Sequence, residues 1–83
     1  MAGPYNLNPG QTQRDIPTWQ LGRQTKVFVT NPTGTVGRLH MHAGAAEEES
    51  DVLPGKIELD RNFGGAPLTV TNLGPVALTV STQ

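Results

Sequence analysis

Val27-Phe28-Val29-Thr30-Asn31-Pro32-Thr33-Gly34-Thr35-Val36 and, forty-one residues on, Leu68-Thr69-Val70-Thr71-Asn72-Leu73-Gly74-Pro75-Val76 are two versions of one phrase. Each is an apolar/polar alternation, then an Asn with a Gly two or three residues later, then a second alternating run. Side chains spaced by two share one face of a strand. A turn signal between two such runs reads as a β-hairpin. Two predicted hairpins in 83 residues make the chain all-β. The likeness of the copies fits an internal duplication or the shared grammar of antiparallel hairpins.

Working outward, the same alternation predicts the other strands. Val27 and Val29 share one face of a strand over 26–30. In the next strand, over 35–42, Leu39 and Met41 share one face and Val36, Arg38, His40 and His42 the other. Over 55–60, Ile57 and Leu59 point inward while Lys56, Glu58 and Asp60 point out. Leu68 and Val70, then Val76, Leu78 and Val80, complete the inward set. Trp19 to Arg23 alternates as a short strand. Ala43 to Asp51 is read as a loop or a single helical turn, too short to stand alone. The expected fold is a small antiparallel β-sandwich or barrel of five to six short strands.

Residues 1–17 are read as an extended arm and 18–83 as the β domain. The arm holds Pro4, Pro9, Gly10 and Pro17 and no sustained periodicity, which suggests polyproline-like backbone. Ordering such a segment costs about 1–2 kcal/mol per residue in backbone entropy, so it needs a surface to lie on. Tyr5 and Leu7, isolated apolar residues in polar surroundings, are candidate contacts to a partner. Ile16 stands between arm and core. Trp19 follows Pro17 and is read as a plug for the domain's own core, with the centre of an interface as the alternative.

Composition narrows the function classes. Six basic and seven acidic residues give a net charge of −1. There is no basic stripe interleaved with aromatics, which disfavours nucleic acid. No apolar run approaches the ~20 residues of a membrane-spanning helix, and the first ten residues lack the pattern of a signal peptide. Cysteine is absent, which leaves metal or self-association as a staple for a small core.

His40-Met41-His42 places two imidazoles on one side of a strand, the way sheets offer ligands to a metal. With Glu47 and Gly55 the run resembles the first cupin motif, in which two His and a Glu hold a divalent metal inside a barrel. The second cupin motif has no counterpart, because 64–72 contains no His. The alternation also sets His40 and His42 beside Arg38 and opposite Leu39 and Met41, towards solvent. Glu47-Glu48-Glu49-Ser50-Asp51 lacks the ligand spacing of a Ca²⁺ loop and reads as a solvated loop. No nucleophile arrangement or phosphate-cradling glycine loop stands out.

In overall type the chain is similar to the small β-sandwich capsid decoration proteins of tailed phages. The resemblance rests on the arm to Pro17 and the Val-Thr-Asn phrases at 29–31 and 70–72. It implies a non-enzymatic virion structural protein on the capsid surface, without cofactor. Such a protein self-associates, with a trimer favoured, and docks on a shell protein through its arm, using Tyr5, Leu7, Ile16 and Trp19. The alternatives are a cupin-like metal protein using His40, His42 and Glu47, and a carbohydrate- or receptor-binding β module, for which Phe63 is the visible loop aromatic.

Overall fold

A computed structural model describes residues 2–83. They form eight strands: β1 (Ala2–Leu7), β2 (Thr12–Ile16), β3 (Thr25–Asn31), β4 (Gly37–Ala43), β5 (Ala46–Val52), β6 (Gly55–Arg61), β7 (Leu68–Gly74) and β8 (Leu78–Thr82). Two four-stranded antiparallel sheets, ordered β1-β8-β3-β6 and β2-β7-β4-β5, face each other. This is the double Greek-key wrap of a jelly roll. The all-β sandwich is as expected; the strand number is eight rather than five or six.

The core is built from the alternation. Val27, Val29, Leu39, Met41, Leu68, Val70, Leu78 and Val80 are buried between the sheets. Leu7, Ile16, Ala43 and Val52 complete the cluster, and Ile57 and Leu59 pack against it from the exposed edge strand β6.

Three expectations are corrected. The arm is no arm: β1 pairs with β8 from Ala2↔Thr82 to Leu7↔Leu78, and β2 pairs with β7. The pairing is irregular, with a register shift between Ala2 and Tyr5 and another between Gln13 and Ile16, where Asp15 has a φ of 57°. Bulges of this kind erase the period of two.

The two expected hairpins are corners between sheets. β3 and β4 lie in opposite sheets, and so do β7 and β8. At each corner a buried Asn ties the chain. The Asn31 amide donates from Nδ2 to Thr35 O (2.7 Å) and Val52 O (3.0 Å), and its Oδ1 accepts from Thr33 N (3.0 Å). Asn72 donates to Val76 O (2.8 Å) and Leu7 O (2.9 Å) and accepts from Gly74 N (2.8 Å). The hairpin proper is β4–β5, in which Ala43 pairs with Ala46. Gly44, at φ 59°, takes the first turn position, where a two-residue loop of type II′ needs positive φ. The stretch expected as a loop, 43–51, therefore holds most of a strand.

The two halves of the chain are equivalent in topology. Replacing each strand of β1-β8-β3-β6 by the one four places further on, cyclically, gives 5-4-7-2, which is the second sheet read from its other edge. The same operation takes Asn31 to Asn72 and the β4–β5 hairpin to the β8–β1 pairing.

Three of the four edge strands are blunted against pairing with other chains. β1 carries Pro4 and a bulge, and β2 carries the Asp15 bulge. β5 is lined with Glu47, Glu49 and Asp51. Across the open side between β5 and β6, Arg61 Nε meets Glu48 Oε1 at 2.8 Å.

Candidate functional site at the Trp19 end

Loops β2–β3, β4–β5 and β6–β7 gather at one end of a body measuring 36 × 19 × 19 Å. The β2–β3 loop, residues 17–24, stands out there. It is not a strand. Gln20 O accepts from Arg23 N (3.1 Å) and Gly22 has a φ of 91°, the geometry of a type II turn with Gly at its third position. Leu21 at the tip is 85% exposed.

The loop is pinned at its base. Thr18 Oγ1 donates to Ala66 O of the neighbouring β6–β7 loop (2.7 Å), and Trp19 N donates to Thr25 Oγ1 (2.9 Å). Trp19 is half-buried and lies outside the core cluster. The expectation that it plugs the core is therefore corrected; the pinned loop turns it outward. The Arg23 guanidinium stacks 3.7 Å from the indole centroid. Two open hollows flank this stacked pair. One, of about 650 Å³, is lined by Pro17 through Arg23. The other, of about 260 Å³, is lined by Trp19, Arg23, Gln24, Lys26 and Gln83.

The other predicted contact residues lie elsewhere. Leu7 (4% exposed) and Ile16 (0%) are in the core, and Tyr5 packs against it. Leu7 and Ile16 cannot anchor a partner without opening the sandwich, whereas Tyr5 is half-buried on the edge strand β1. The assignment of Leu7 and Ile16 as docking residues is a correction, and its cause is the pairing of β1 and β2. Arg23 and Lys26 were missed as site residues. The available signal was Trp19-x-x-x-Arg23, with Pro17 ahead of it and Gly22 within it.

His40, His42 and Glu47 do share one face, the outer face of the β2-β7-β4-β5 sheet. His42 is opposite Glu47 in register, and His40 Nε2 lies 2.8 Å from Glu47 Oε1. Beside them Arg38 meets Glu49 (2.7 Å) and Asp51 (2.9 Å). Its hydrogen bond to Glu49, then the charges of Glu49 and Asp51, hold the guanidinium above its usual pKa. The face is a ladder of cross-strand ion pairs on the outside of the sandwich. The cupin resemblance needs the imidazoles inside a barrel, where this chain has Leu39 and Met41. Among the described residues no group of three His, Asp or Glu side chains is placed to hold a metal ion.

Residues 5–83 match a family of unknown function, DUF8244. The chain belongs to that family. Two uncharacterized proteins of Dictyostelium discoideum are each 43% identical to it over 82 residues, covering 99% of this chain and 99% of each relative. No solved structure matches the chain. The DUF8244 match takes in half of β1, all of β2 and the Trp19 loop, so the family's unit includes most of the segment that the sequence presents as an arm.

Proposed function

We propose that this DUF8244 chain is a non-enzymatic recognition module, a rigid jelly roll that presents the Trp19 loop to a partner. The observation that carries the reading is the Trp19–Arg23 stack: half-exposed, on a loop fixed by side chain–backbone hydrogen bonds at Thr18 and Thr25, between two hollows. Tryptophan and arginine are the residues on which interface energies concentrate. A loop held in place before binding avoids part of the entropy cost of association.

The jelly roll itself does not choose among the readings, since capsid, lectin and cupin domains share it. The decoration-protein expectation keeps its class here, binding without chemistry, and changes its means from an arm to a loop. Its placement on a phage capsid gains no support from the Dictyostelium relatives. Self-association by edge pairing is not part of the proposal, because three of the four edges are blunted.

The test compares the wild-type protein, immobilised, with Trp19→Ala and Arg38→Gln for retention of partners from extracts of the organism that makes it. We expect retention by wild type and Arg38→Gln and its loss in Trp19→Ala, with all three equally folded by circular dichroism. Equal retention by Trp19→Ala would sink the proposal.

A further inference from the structure

We propose that the Trp19 end binds an acidic sugar, with the ring against the indole and the carboxylate held by Arg23 and Lys26. This rests on the recognition reading above and names its ligand class. The first support is the contrast among cations. Arg38 and Arg61 are neutralised by carboxylates at 2.7–2.9 Å, on the outer face and the open side of the sandwich. Among the described residues Arg23 and Lys26 are in no ion pair, and no carboxylate side chain lines either hollow beside Trp19. Asp60 is the register partner of Lys26 in the sheet, yet the two form no ion pair. Among the described residues Arg14 and Lys56 are in no ion pair either; what sets Arg23 and Lys26 apart is that they line one hollow together, beside Trp19.

The second support is orientation. A guanidinium stacked on a ring keeps its five N–H donors in its own plane, free to take a carboxylate side-on. The stack at 3.7 Å therefore fixes Arg23 without using its donors.

The third is the company. Gln20 lines one hollow, and Gln24 and Gln83 line the other. A carboxamide both donates and accepts, which suits sugar hydroxyls. An indole face suits the apolar face of a sugar ring, and its N–H offers a further donor. A nucleotide would use the same cations and would stack its base on the indole. The three carboxamides favour the polyhydroxylated ligand.

Trp19 is the sole tryptophan, so its fluorescence reports on this site alone. The whole protein is titrated with 3′-sialyllactose and with lactose, then with a glucuronate-terminated disaccharide and its glucose counterpart, and with AMP. We expect saturable emission changes from at least one acidic sugar, with its neutral counterpart at least tenfold weaker. Arg23→Gln should remove that preference and leave the weak neutral response in place; Arg23→Lys should restore part of it; Arg38→Gln should change nothing. Equal responses to acidic and neutral sugars overturn the role given to Arg23 and Lys26. No response to either acidic sugar, or tighter binding of AMP, overturns the ligand class. Extract retention that depends on Trp19, with no response to any of these sugars, removes this inference alone. Retention indifferent to Trp19→Ala removes the recognition reading with it.

Discussion

The halves β1–β4 and β5–β8 are alike where the sandwich is held together and unlike where it meets solvent at its Trp19 end. Asn31 and Asn72 sit at equivalent corners and share three bonds, to the carbonyl four residues on, to a carbonyl at the end of a neighbouring strand and from the amide two residues on, while Asn31 alone also accepts from the Thr33 hydroxyl (2.6 Å). Val27 and Leu68, and Val29 and Val70, fill equivalent core positions. The loops that the same operation exchanges share little. Residues 17–24 make a pinned turn carrying Trp19 and Arg23, while 62–67 is Asn-Phe-Gly-Gly-Ala-Pro. What is repeated serves the fold. What is not repeated is where a partner can be recognised, and this is why the Trp19 loop rather than the symmetric body carries the proposed site.

The largest effect should come from breaking one half. Deleting residues 1–16 removes β1 and β2, and with them Leu7 and Ile16, each worth about 1.5–3 kcal/mol of apolar burial. It also strips Asn72 of its bond to Leu7 O. The loss rivals the whole stability of a domain of this size. We expect an unfolded chain by circular dichroism and proton NMR. A cooperative thermal transition in the truncated protein would return 1–17 to the status of an arm.

Next come the corners. Asn31→Ala and Asn72→Ala each leave two carbonyls and one amide without their side-chain partner at a buried position, and Asn31→Ala also removes an acceptor of the Thr33 hydroxyl. Each should cost roughly 2–4 kcal/mol, from about 1 kcal/mol per hydrogen bond and the desolvation of groups left unpaired. Urea midpoints should fall together for the two variants, within about 1 kcal/mol of each other. A neutral result at one corner and a large one at the other would show that the topological repeat is not an energetic one.

A gentler test rewires the repeat. Ala2 and Thr82 are register partners, and the β4–β5 hairpin is their counterpart across the two halves. Joining 83 to 2 through a short glycine linker and opening the chain between Gly44 and Ala45 should give a folded protein. It should lie within about 2 kcal/mol of the parent, since termini close in space tolerate permutation and a loop closure of this length changes little. Failure to fold would show that the tight Gly44 turn is needed to set the register of β4 against β5.

Much of the repeated body is legible in the sequence. Period-two alternation places Val27, Val29, Leu39, Met41, Leu68, Val70, Leu78 and Val80 inward and Arg38, His40 and His42 outward, because a buried face admits only one register. Alternation is silent about which strand pairs with which. An Asn-to-Gly phrase that ends one strand and starts another looks the same whether the chain folds back in its own sheet or crosses to the facing one. β5 is hidden for a different reason: its inward positions include Glu48 and Ser50 at an open side, where Arg61 rather than an apolar neighbour meets Glu48. β1 and β2 are hidden by their bulges. The site is the least legible part, since Trp19 carries no sign of which way it faces until the bonds at Thr18 and Thr25 fix the loop.

The smallest effect on the fold should come from the element we regard as most important for function. Trp19→Ala removes a half-exposed ring outside the core cluster. The backbone bonds that pin the loop, from Trp19 N to Thr25 Oγ1 and from Arg23 N to Gln20 O, do not depend on the side chain. The variant should lose about 1 kcal/mol or less, well under the roughly 2–4 kcal/mol expected for emptying a core position such as Leu39. Urea midpoints for Trp19→Ala and Leu39→Ala measure the gap. If the two losses were equal, the indole would belong to the folding core after all, and the unlike loops would differ in structure rather than in recognition.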